Sequence, residues 1–303
     1  MSGGSTPFPI FNVASARTST PTPPPRVSVI VPCYNGEEYI GEAIRSVLDQ
    51  SLEALELIVL DDGSEDGSGA VIQGFDDPRL SYVAKSNSGV ADTRNQGVAL
   101  ARAPVIAFLD ADDLFEPGNL AKKLDFLDAQ DDVGLVHSDV EHFDDSGPLE
   151  IERRAECVGD ALHAILEFRT HVNGPCSAVM RKHLFHQVGG FDTRLSTAAD
   201  RDLWIRLAAR TRIGYIPEPL ARYRQHSGQM HMNVDAMEHD LAIIYRKARE
   251  AGYFKDEAHS HLCSARAEHV LAGSYLHHTR EYGKVIRHAA AYAYHKLRHL
   301  VRL

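Results

Sequence analysis

The chain has 303 residues, of which 44% are hydrophobic, and a formal net charge of −10. This length can bury a full hydrophobic core, either as one large domain or as one domain with an appendage. The negative charge disfavours a general nucleic-acid binder, which would be basic. The four cysteines form no CxxC pair, so the sequence predicts reduced thiols in a cytosol and no zinc ribbon.

The first 25 residues contain six prolines, many Ser and Thr residues and one charged side chain, Arg17. This composition is typical of a disordered tail. The chain begins with no signal-peptide pattern and carries no run of about 18 apolar residues. We therefore expect a cytoplasmic protein with no transmembrane helix.

The next part of the chain alternates between predicted strands and helices. A β-branched run in "RVSVIVPCYN" stops at Pro32, and "EEYIGEAIRSVLDQS" then has apolar residues at helical spacing. The later segments "LELIVLD", "LSYVA" and "PVIAFLD" predict strands, with helices at 68–75 and in "SGVADTRNQGVALARA". This alternation predicts an α/β fold with a doubly wound, mostly parallel sheet, which binds ligands at the carboxyl ends of its strands.

The second half of the chain is less regular. "VGLVHSDVEHF" predicts a strand or a hairpin arm, and "GPCSAVMRKHLFHQVGGFD" a strand, a short helix and a Gly-Gly turn. "AADRDLWIRLAAR" predicts a helix and "PLARYRQHSGQ" an extended segment, and from about Asn233 the chain is helical. We expect a tail at 1–25, one folded domain at 26–232 and a helical region at 233–303.

Three carboxylates, Asp110, Asp112 and Asp113, follow the apolar run at 106–109. Charges this close repel one another, so a cation between them would be stabilising. In an extended segment the side chains at i and i+2 share a face, so Asp110 and Asp112 could meet one Mg²⁺ or Mn²⁺ ion with phosphate oxygens. A solvated turn with a helix cap is the alternative explanation.

Other polar residues have both a functional and a structural interpretation. Asp62, at a strand end, could accept hydrogen bonds from a base or a ribose, although its loop lacks EF-hand spacing. Arg94 could neutralise a phosphate, or lie on the surface of a helix. Asp200 and Asp202 open a helix, where the helix dipole favours carboxylates in any case. His226 is one of 17 histidines, so its position could be coincidental.

Six segments, in their order along the chain, resemble the family 2 glycosyltransferases of the GT-A fold. The resemblance covers roughly residues 27–229 and implies a small second sheet in the fold. It also implies transfer of a sugar from a nucleotide-sugar, UDP-linked, to an acceptor hydroxyl with inversion, in bacterial-type surface polysaccharide or glycoconjugate synthesis. The segments are "VSVIVPCYNGEEYIGEAIRSVLDQS", "ELIVLDDGSEDGS", "NSGVADTRNQGVALARAPVIAFLDADDLFEPGNL", "GGFD", "AADRDLWIRL" and "ARYRQHSGQ".

The resemblance also implies roles for single residues. Asp110 and Asp112 match the family's DxD motif, Asp112 and His226 match positions at the Mn²⁺ or Mg²⁺ ion, and Asp200 matches the general base. Ala199 stands where the family usually has Glu. The residues that the resemblance assigns to the nucleotide-sugar are Pro32, Tyr34, Asn35, Asp62, Arg94, Asp110, Ala111 and Asp112.

Two other functional classes remain open on the sequence. A relative that binds a nucleotide-sugar without turnover would retain the same motifs. A nucleotidyltransferase would begin with a Gly-rich loop after the first strand, where this chain has "PCYNGEE", and the chain contains neither GxGxxG nor a P-loop. The acceptor, whether a saccharide, a lipid-linked molecule or another hydroxyl compound, is not identified, and no nucleic-acid partner is expected.

The last segment, residues 280–303, is basic and contains three tyrosines. This composition predicts peripheral contact with anionic lipid on the inner face of the cytoplasmic membrane, where lipid-linked acceptors reside. A helical appendage packed on the domain, or a dimer contact, is the alternative.

Overall fold

The computed structural model describes residues 24–154, 157–226 and 233–301. Most of the predicted disordered tail lies outside these ranges. So do residues 227–229 of the last matched segment and residues 302–303 of the basic C-terminus.

The described strands and helices follow the predicted alternation in the first half of the chain. The strands are β1 (Val27–Cys33), β2 (Leu55–Asp61), β3 (Leu80–Ala84), β4 (Val105–Phe108), β5 (Leu114–Phe115), β6 (Val133–Asp144), β7 (Gly147–Glu152), β8 (Ala178–Arg181) and β9 (Arg212–Arg224). The helices are α1 (Ile40–Leu48), α2 (Ser68–Gln73), α3 (Val90–Leu100), α4 (Asn119–Ala129), α5 (Leu162–Leu166), α6 (Lys182–Gln187), α7 (Ala199–Ala208), α8 (Val234–Glu250), α9 (Glu257–Ser274) and α10 (Tyr282–Leu300). Of these elements, β5, β7, α4 and α5 are not among those predicted from the sequence.

In the described part of the chain, one sheet has the strand order β3-β2-β1-β4-β8-β6-β9-β5, with β7 paired to β6. Strands β1 to β4 are parallel to one another, and β6 is parallel to β9. Every residue of β1, β2 and β4 is buried, which explains why these strands are nearly continuous apolar runs. The predicted α/β fold with a mostly parallel sheet is therefore confirmed.

The fold differs from the expectation in one respect, because the small second sheet is continuous with the main sheet. Strand β5 pairs with β9 at Leu114 and Arg222, and β7 pairs with β6 at Glu152 and Val140. The β6–β9 pairing shifts register on both sides of Asp139. Such irregularities bend a strand, so β6 and β9 can carry the sheet around a bend without a break in pairing.

The C-terminal helices share a hydrophobic core with the sheet domain. One buried apolar cluster includes Phe108 of β4, Trp204 of α7, Leu241 of α8 and Leu271 of α9. This packing fixes α7, whose first turn carries Asp200. No helix of the described residues is long and apolar enough to cross a membrane.

Candidate active site

The carboxyl ends of β1, β2 and β4 lie together at one edge of the sheet. Cys33 is the register partner of Asp61, and Ile30 is the partner of Phe108. The backbone N–H of Asp62 donates to the carbonyl of Cys33 at 2.7 Å. The polar residues that follow these strands therefore share the edge where a doubly wound sheet binds its ligands.

The carboxylate of Asp62 is held by groups from the segment between β3 and α3. The ammonium of Lys85 and the N–H of Ser88, at 2.8 Å, contact Oδ1, and the N–H of Gly89 donates to Oδ2 at 2.9 Å. Burial by itself would raise the pKa of Asp62, but these donors hold the pKa below its ordinary value. Asp62 is thus a fixed, ionised hydrogen-bond acceptor at this edge of the sheet.

The loop after β1 is fixed to the loop after β2. Asn35 has a φ of 51°; its N–H donates to Ser64 Oγ at 2.9 Å, and its Oδ1 accepts from the N–H of Glu65 at 2.9 Å. Pro32 is buried inside β1, whereas the ring of Tyr34 is 54% exposed. Of these three predicted residues, Pro32 is therefore buried, whereas Tyr34 and Asn35 are both exposed at the edge.

Asp110 is neutralised by Arg94, which is buried on α3. The guanidinium contacts Asp110 Oδ1 and also lies over the ring of Phe191, 5.3 Å from its centroid. Phe191 belongs to the "GGFD" segment, so Arg94 links that segment to the acidic turn. Arg94 thus compensates the negative charge of Asp110, one of the three neighbouring carboxylates.

Asp112 is paired with His226, the residue that follows β9 and Gln225. His226 Nε2 lies 2.9 Å from Asp112 Oδ2, and both side chains are 28% exposed. The His226 ring packs against Tyr39 with centroids 5.3 Å apart. Burial, followed by the charge of Asp110, raises the pKa of Asp112. The pair therefore presents a carboxylate and an imidazole to solvent beside Asp110.

Asp113 points into the protein, although it is adjacent to Asp112 in sequence. Its side chain is buried and accepts from the backbone N–H of Arg224 at 3.1 Å. The Arg224 side chain donates to the carbonyl of Asp112 at 3.1 Å and to Glu42 at 2.6 Å. Burial, and then the charges of Asp112 and Asp110, raise the pKa of Asp113 well above its ordinary value. Asp113 and Arg224 support the acidic turn, a role not predicted from the sequence.

No group of three His, Cys, Asp or Glu side chains converges as a metal site in 24–154, 157–226 or 233–301. Asp112 and His226 nevertheless lie side by side with one oxygen and one nitrogen donor. Mg²⁺ commonly binds through one or two carboxylates together with substrate phosphates. The donor set therefore fits a divalent cation whose coordination a diphosphate would complete.

Asp200 lies in the first turn of α7, where its Oδ1 accepts from the N–H of Arg201 at 2.7 Å. Burial raises the pKa of Asp200, and the nearby charges of Arg94 and His171 only partly oppose this rise. Arg94, which contacts Asp110, is thus also one of the charges that act on Asp200. Its neighbour Ala199, in place of the family's usual Glu, is buried.

Asp202 faces away from that position and has cationic partners of its own. Arg206 Nε donates to its Oδ2 at 2.8 Å, and Lys247 of α8 lies 2.7 Å from its Oδ1. The side chain is only 3% exposed. The two carboxylates of α7 therefore have different surroundings, as expected for residues two apart on a helix.

Asn95 was missed in the sequence and holds the "GGFD" turn against α3. Its Nδ2 donates to the carbonyl of Phe191 and its Oδ1 accepts from the N–H of Phe191, both at 2.9 Å. Gly190 has a φ of 71°, and a Cβ there would lie 2.7 Å from Asn95 Oδ1. The sequence feature that could have drawn attention to Asn95 is its position directly after Arg94.

Curated relatives with a glycosyltransferase name match much of the chain. An uncharacterized glycosyltransferase of Rickettsia bellii is 28% identical over 82% of this chain and 38% of its own length. TuaG of Bacillus subtilis, a glycosyltransferase named for teichuronic acid biosynthesis, is 42% identical over 34% of this chain and 42% of TuaG. The chain spans between about a third and two thirds of the length of the rickettsial relatives it matches.

Solved glycosyltransferase structures share the fold. TarS of S. aureus, in complex with UDP-GlcNAc, has a TM-score of 0.66 and 18% identity, over 88% of this chain and 80% of that one. The mannosyltransferase PcManGT of Pyrobaculum calidifontis, in complex with GDP-Man and Mn²⁺, has a TM-score of 0.57 and 21% identity, over 95% and 90%. These likenesses confirm the expected GT-A fold.

The family model for glycosyl transferase family 2 matches residues 28–189, more than half of the chain. The match contains the loops after β1, β2 and β4, whereas Asp200 and His226 follow it in the sequence. By this match the chain belongs to glycosyl transferase family 2.

Proposed function

We propose that the protein transfers a sugar, with inversion, from a UDP-linked nucleotide-sugar to an acceptor hydroxyl. The observation that carries this proposal is the arrangement of Asp62, Asp110 and Asp112 at the carboxyl edge of the sheet. Family membership supports the reaction class, and UDP-GlcNAc on TarS supports the donor. The name of TuaG supports a role in bacterial surface polysaccharide or glycoconjugate synthesis.

The donor site has a carboxylate at each end. Asp62, between Pro32, Tyr34 and Asn35 on one side and Gly89 on the other, accepts from the base. Asp110, paired with Arg94, accepts from the ribose, while the backbone at Ala111 spans the turn to Asp112.

Asp112 and His226 would hold the Mn²⁺ or Mg²⁺ ion, and Mn²⁺ in the PcManGT complex supports a divalent cation. When bound, such an ion stabilises the negative charge that develops on the leaving diphosphate. The chain contributes the fixed position of the pair, because Arg224 holds the backbone at Asp112 and Tyr39 packs on the His226 ring.

Asp200 acts as the general base. Its carboxylate takes the proton of the acceptor hydroxyl as the acceptor oxygen bonds to the anomeric carbon. The bond from that carbon to the diphosphate oxygen breaks on the opposite face, which inverts the anomeric centre. The raised pKa of Asp200 suits this role, because it makes the carboxylate a stronger base.

The first test is thermal stabilisation of the protein by a panel of UDP- and GDP-sugars, with Mn²⁺, with Mg²⁺ and with excess chelator. We expect UDP-sugars to raise the melting temperature only when a divalent ion is present. Asp112→Ala should abolish that metal-dependent shift and leave the melting temperature without ligand close to that of the wild type. Asp131→Ala is the matched control, because Asp131 is exposed and outside the site.

Full activity in excess chelator would contradict the metal role. Donor stabilisation without any donor hydrolysis or transfer would favour a non-catalytic nucleotide-sugar-binding relative. Release of diphosphate from a nucleoside triphosphate would favour a nucleotidyltransferase.

We also propose that residues 26–232 form the transferase domain and that the helical region, 233–303, is packed against it. We propose that this enzyme works at the inner face of the cytoplasmic membrane, near lipid-linked acceptors. The basic and aromatic composition of residues 280–303 supports that location.

A further inference from the structure

Helix α10 presents its apolar side to solvent and its polar side to the protein. The residues that face α8 and α9 include Lys284, His288, His295 and His299, all buried or half-buried. A surface helix of a globular protein normally has the opposite orientation. The large apolar side chains on the outer side are Tyr282 (64% exposed), Ile286 (70%), Tyr294 (56%), Leu297 (63%), Leu300 (55%) and Val301 (83%). We call these six residues the outer face.

The polar side of α10 is held by specific contacts, so the helix cannot roll to bury the outer face without breaking them. His288 is 4% exposed, lies 2.5 Å from Glu268 of α9 and stacks on Tyr275 with centroids 5.3 Å apart. Arg287 contacts Glu238 of α8 at 2.7 Å. Lys284 contacts Asp235 of α8 at 2.6 Å. The orientation of the outer face is therefore fixed by the fold.

The outer face has basic residues at its margins and no acidic residue between Tyr282 and Val301. At 100° per residue, Arg287 and Arg298 fall on one margin of the apolar stripe and Lys296 falls on the other. Lys296 donates to Tyr292 Oη at 2.9 Å, and Arg298 is 3.8 Å from Glu257. An apolar face with cationic margins is the pattern of a helix that lies in the interface of an anionic bilayer.

We propose that the outer face of α10 is the surface through which this protein binds a membrane of anionic phospholipid. The proposal rests on the membrane location proposed above and assigns it to one helix in one orientation. The apolar side chains enter the boundary between headgroups and acyl chains, and Lys296 and Arg298 meet lipid phosphates, while Arg287 keeps its contact with Glu238. Helices α8 and α9 then lie on the protein side of α10.

The charges favour lipid over a second copy of the chain. A two-fold contact places the same patch on both partners, and the charged residues that α10 itself places at the margins of the outer face are all basic. Such a pair would bring arginines and lysines together with no acidic residue on α10 to compensate them. A lipid surface supplies the missing negative charge.

The test is co-sedimentation of the full chain with vesicles of phosphatidylglycerol and phosphatidylcholine, and with vesicles of phosphatidylcholine alone. We expect the wild type to bind the anionic vesicles more tightly, and the binding to weaken with salt. Ile286→Glu and Leu297→Glu should each lower the partition coefficient by about tenfold or more, since each replaces a membrane-buried apolar side chain by a charge. Leu149→Glu is the matched control, because Leu149 is also an exposed leucine (48%) but lies on β7. This substitution should leave vesicle binding unchanged.

Equal binding of the wild type and both α10 variants would overturn the proposal. So would absence of vesicle binding together with a concentration-dependent dimer that Ile286→Glu dissociates, since that result assigns the outer face to a second copy. Donor-induced thermal stabilisation, measured on the same samples, distinguishes failure of the proposed transferase function from failure of the membrane proposal. If it persists in the α10 variants while vesicle binding is absent from the wild type, only the membrane inference fails.

Discussion

At the scale of single residues, the two carboxylates at the start of α7 differ because of what surrounds them. Asp200 has no cation within ion-pair distance among the described residues, and burial raises its pKa. Asp202 is held by Arg206 and by Lys247 from α8. One residue thus keeps an available, more basic carboxylate, and the other uses its carboxylate to attach α8 to α7.

We expect Asp200→Asn to lower the transfer rate by about 10²–10⁴-fold while donor affinity stays within a few-fold, because the variant cannot accept the acceptor's proton. The wild-type rate should rise with pH as Asp200 loses its proton, above the ordinary carboxyl pKa of 3.8, and the variant should lack this dependence. Donor affinity by calorimetry and turnover against pH test both statements.

Asp202→Asn is the comparison variant, and we expect a loss of stability from it instead. Replacing a buried charged partner of Arg206 and Lys247 should lower the free energy of unfolding by about 1–3 kcal/mol, with transfer retained by the folded fraction. The assignment is wrong if Asp200→Asn transfers sugar at close to the wild-type rate, or if Asp202→Asn removes transfer without loss of stability.

Lys123, on α4, is fully buried, and its ammonium nitrogen has no hydrogen-bond partner among the described residues. Burial lowers its pKa from 10.5 to about 7. Between those values the unfolded chain holds a proton that the folded protein has lost, so Lys123 makes stability increase with pH over this interval. Below the folded pKa, the protein must carry a charge in an apolar environment.

We therefore expect Lys123→Met to raise the free energy of unfolding most below pH about 7, with a gain that shrinks as the pH approaches about 10. Urea unfolding of both proteins across this range measures the effect. Lys122→Met is the control, because Lys122 is 47% exposed and pairs with Glu218 at the surface. A gain that does not vary with pH would mean that burial does not lower the pKa of Lys123 in the folded state.

At the scale of elements, strands and helices were predicted most accurately from the sequence where a single residue pattern determined them. Strands β1, β2 and β4 are buried on both faces, so their apolar runs were recognisable. Helix α4 was missed although Leu120, Leu124 and Leu127 are buried at helical spacing, because Lys123 interrupts the apolar stripe. Strand β7 was missed because most of its residues are exposed and only its pairing with β6 defines it.

The candidate site, too, could be predicted from the sequence only where a local pattern determined it. The carboxylates at strand ends could be placed at one edge because parallel strands end together. The contact between Arg224 and Glu42 joins residues 182 positions apart, and no local pattern predicts which distant side chains meet. The burial of Asp113 was missed for the same reason, since its partner is the backbone of Arg224.

The "GGFD" turn gives a test at the scale of one element. Gly189 and Gly190 both have positive φ, but only at Gly190 would a Cβ meet neighbours, Asn95 at 2.7 Å and Phe185 at 3.1 Å. Gly189→Ala should cost about 1–2 kcal/mol, the backbone penalty of the left-handed region. Gly190→Ala should cost more, because Asn95 must also move and release Phe191. Equal losses in thermal or urea unfolding would contradict the role given to Asn95.

At the scale of the whole molecule, the candidate site draws on distant parts of the chain because of where β9 lies in the sheet. Among the described residues β9 is the last strand along the chain, yet it is paired between β6 and β5. It is also the strand that brings Arg224 to Asp113 and His226 to Asp112.

This strand order has a consequence for synthesis, which proceeds from the N-terminus. While the ribosome is still making α7, the nascent chain has β5 and β6 but not β9, so β6 has an unpaired edge and β5 has no partner strand. Pairing residues so far apart in sequence is a slow step in folding. The Asp112–His226 pair can form only after β9 has inserted, so we expect a half-made chain to lack the pair to which we assign the divalent ion.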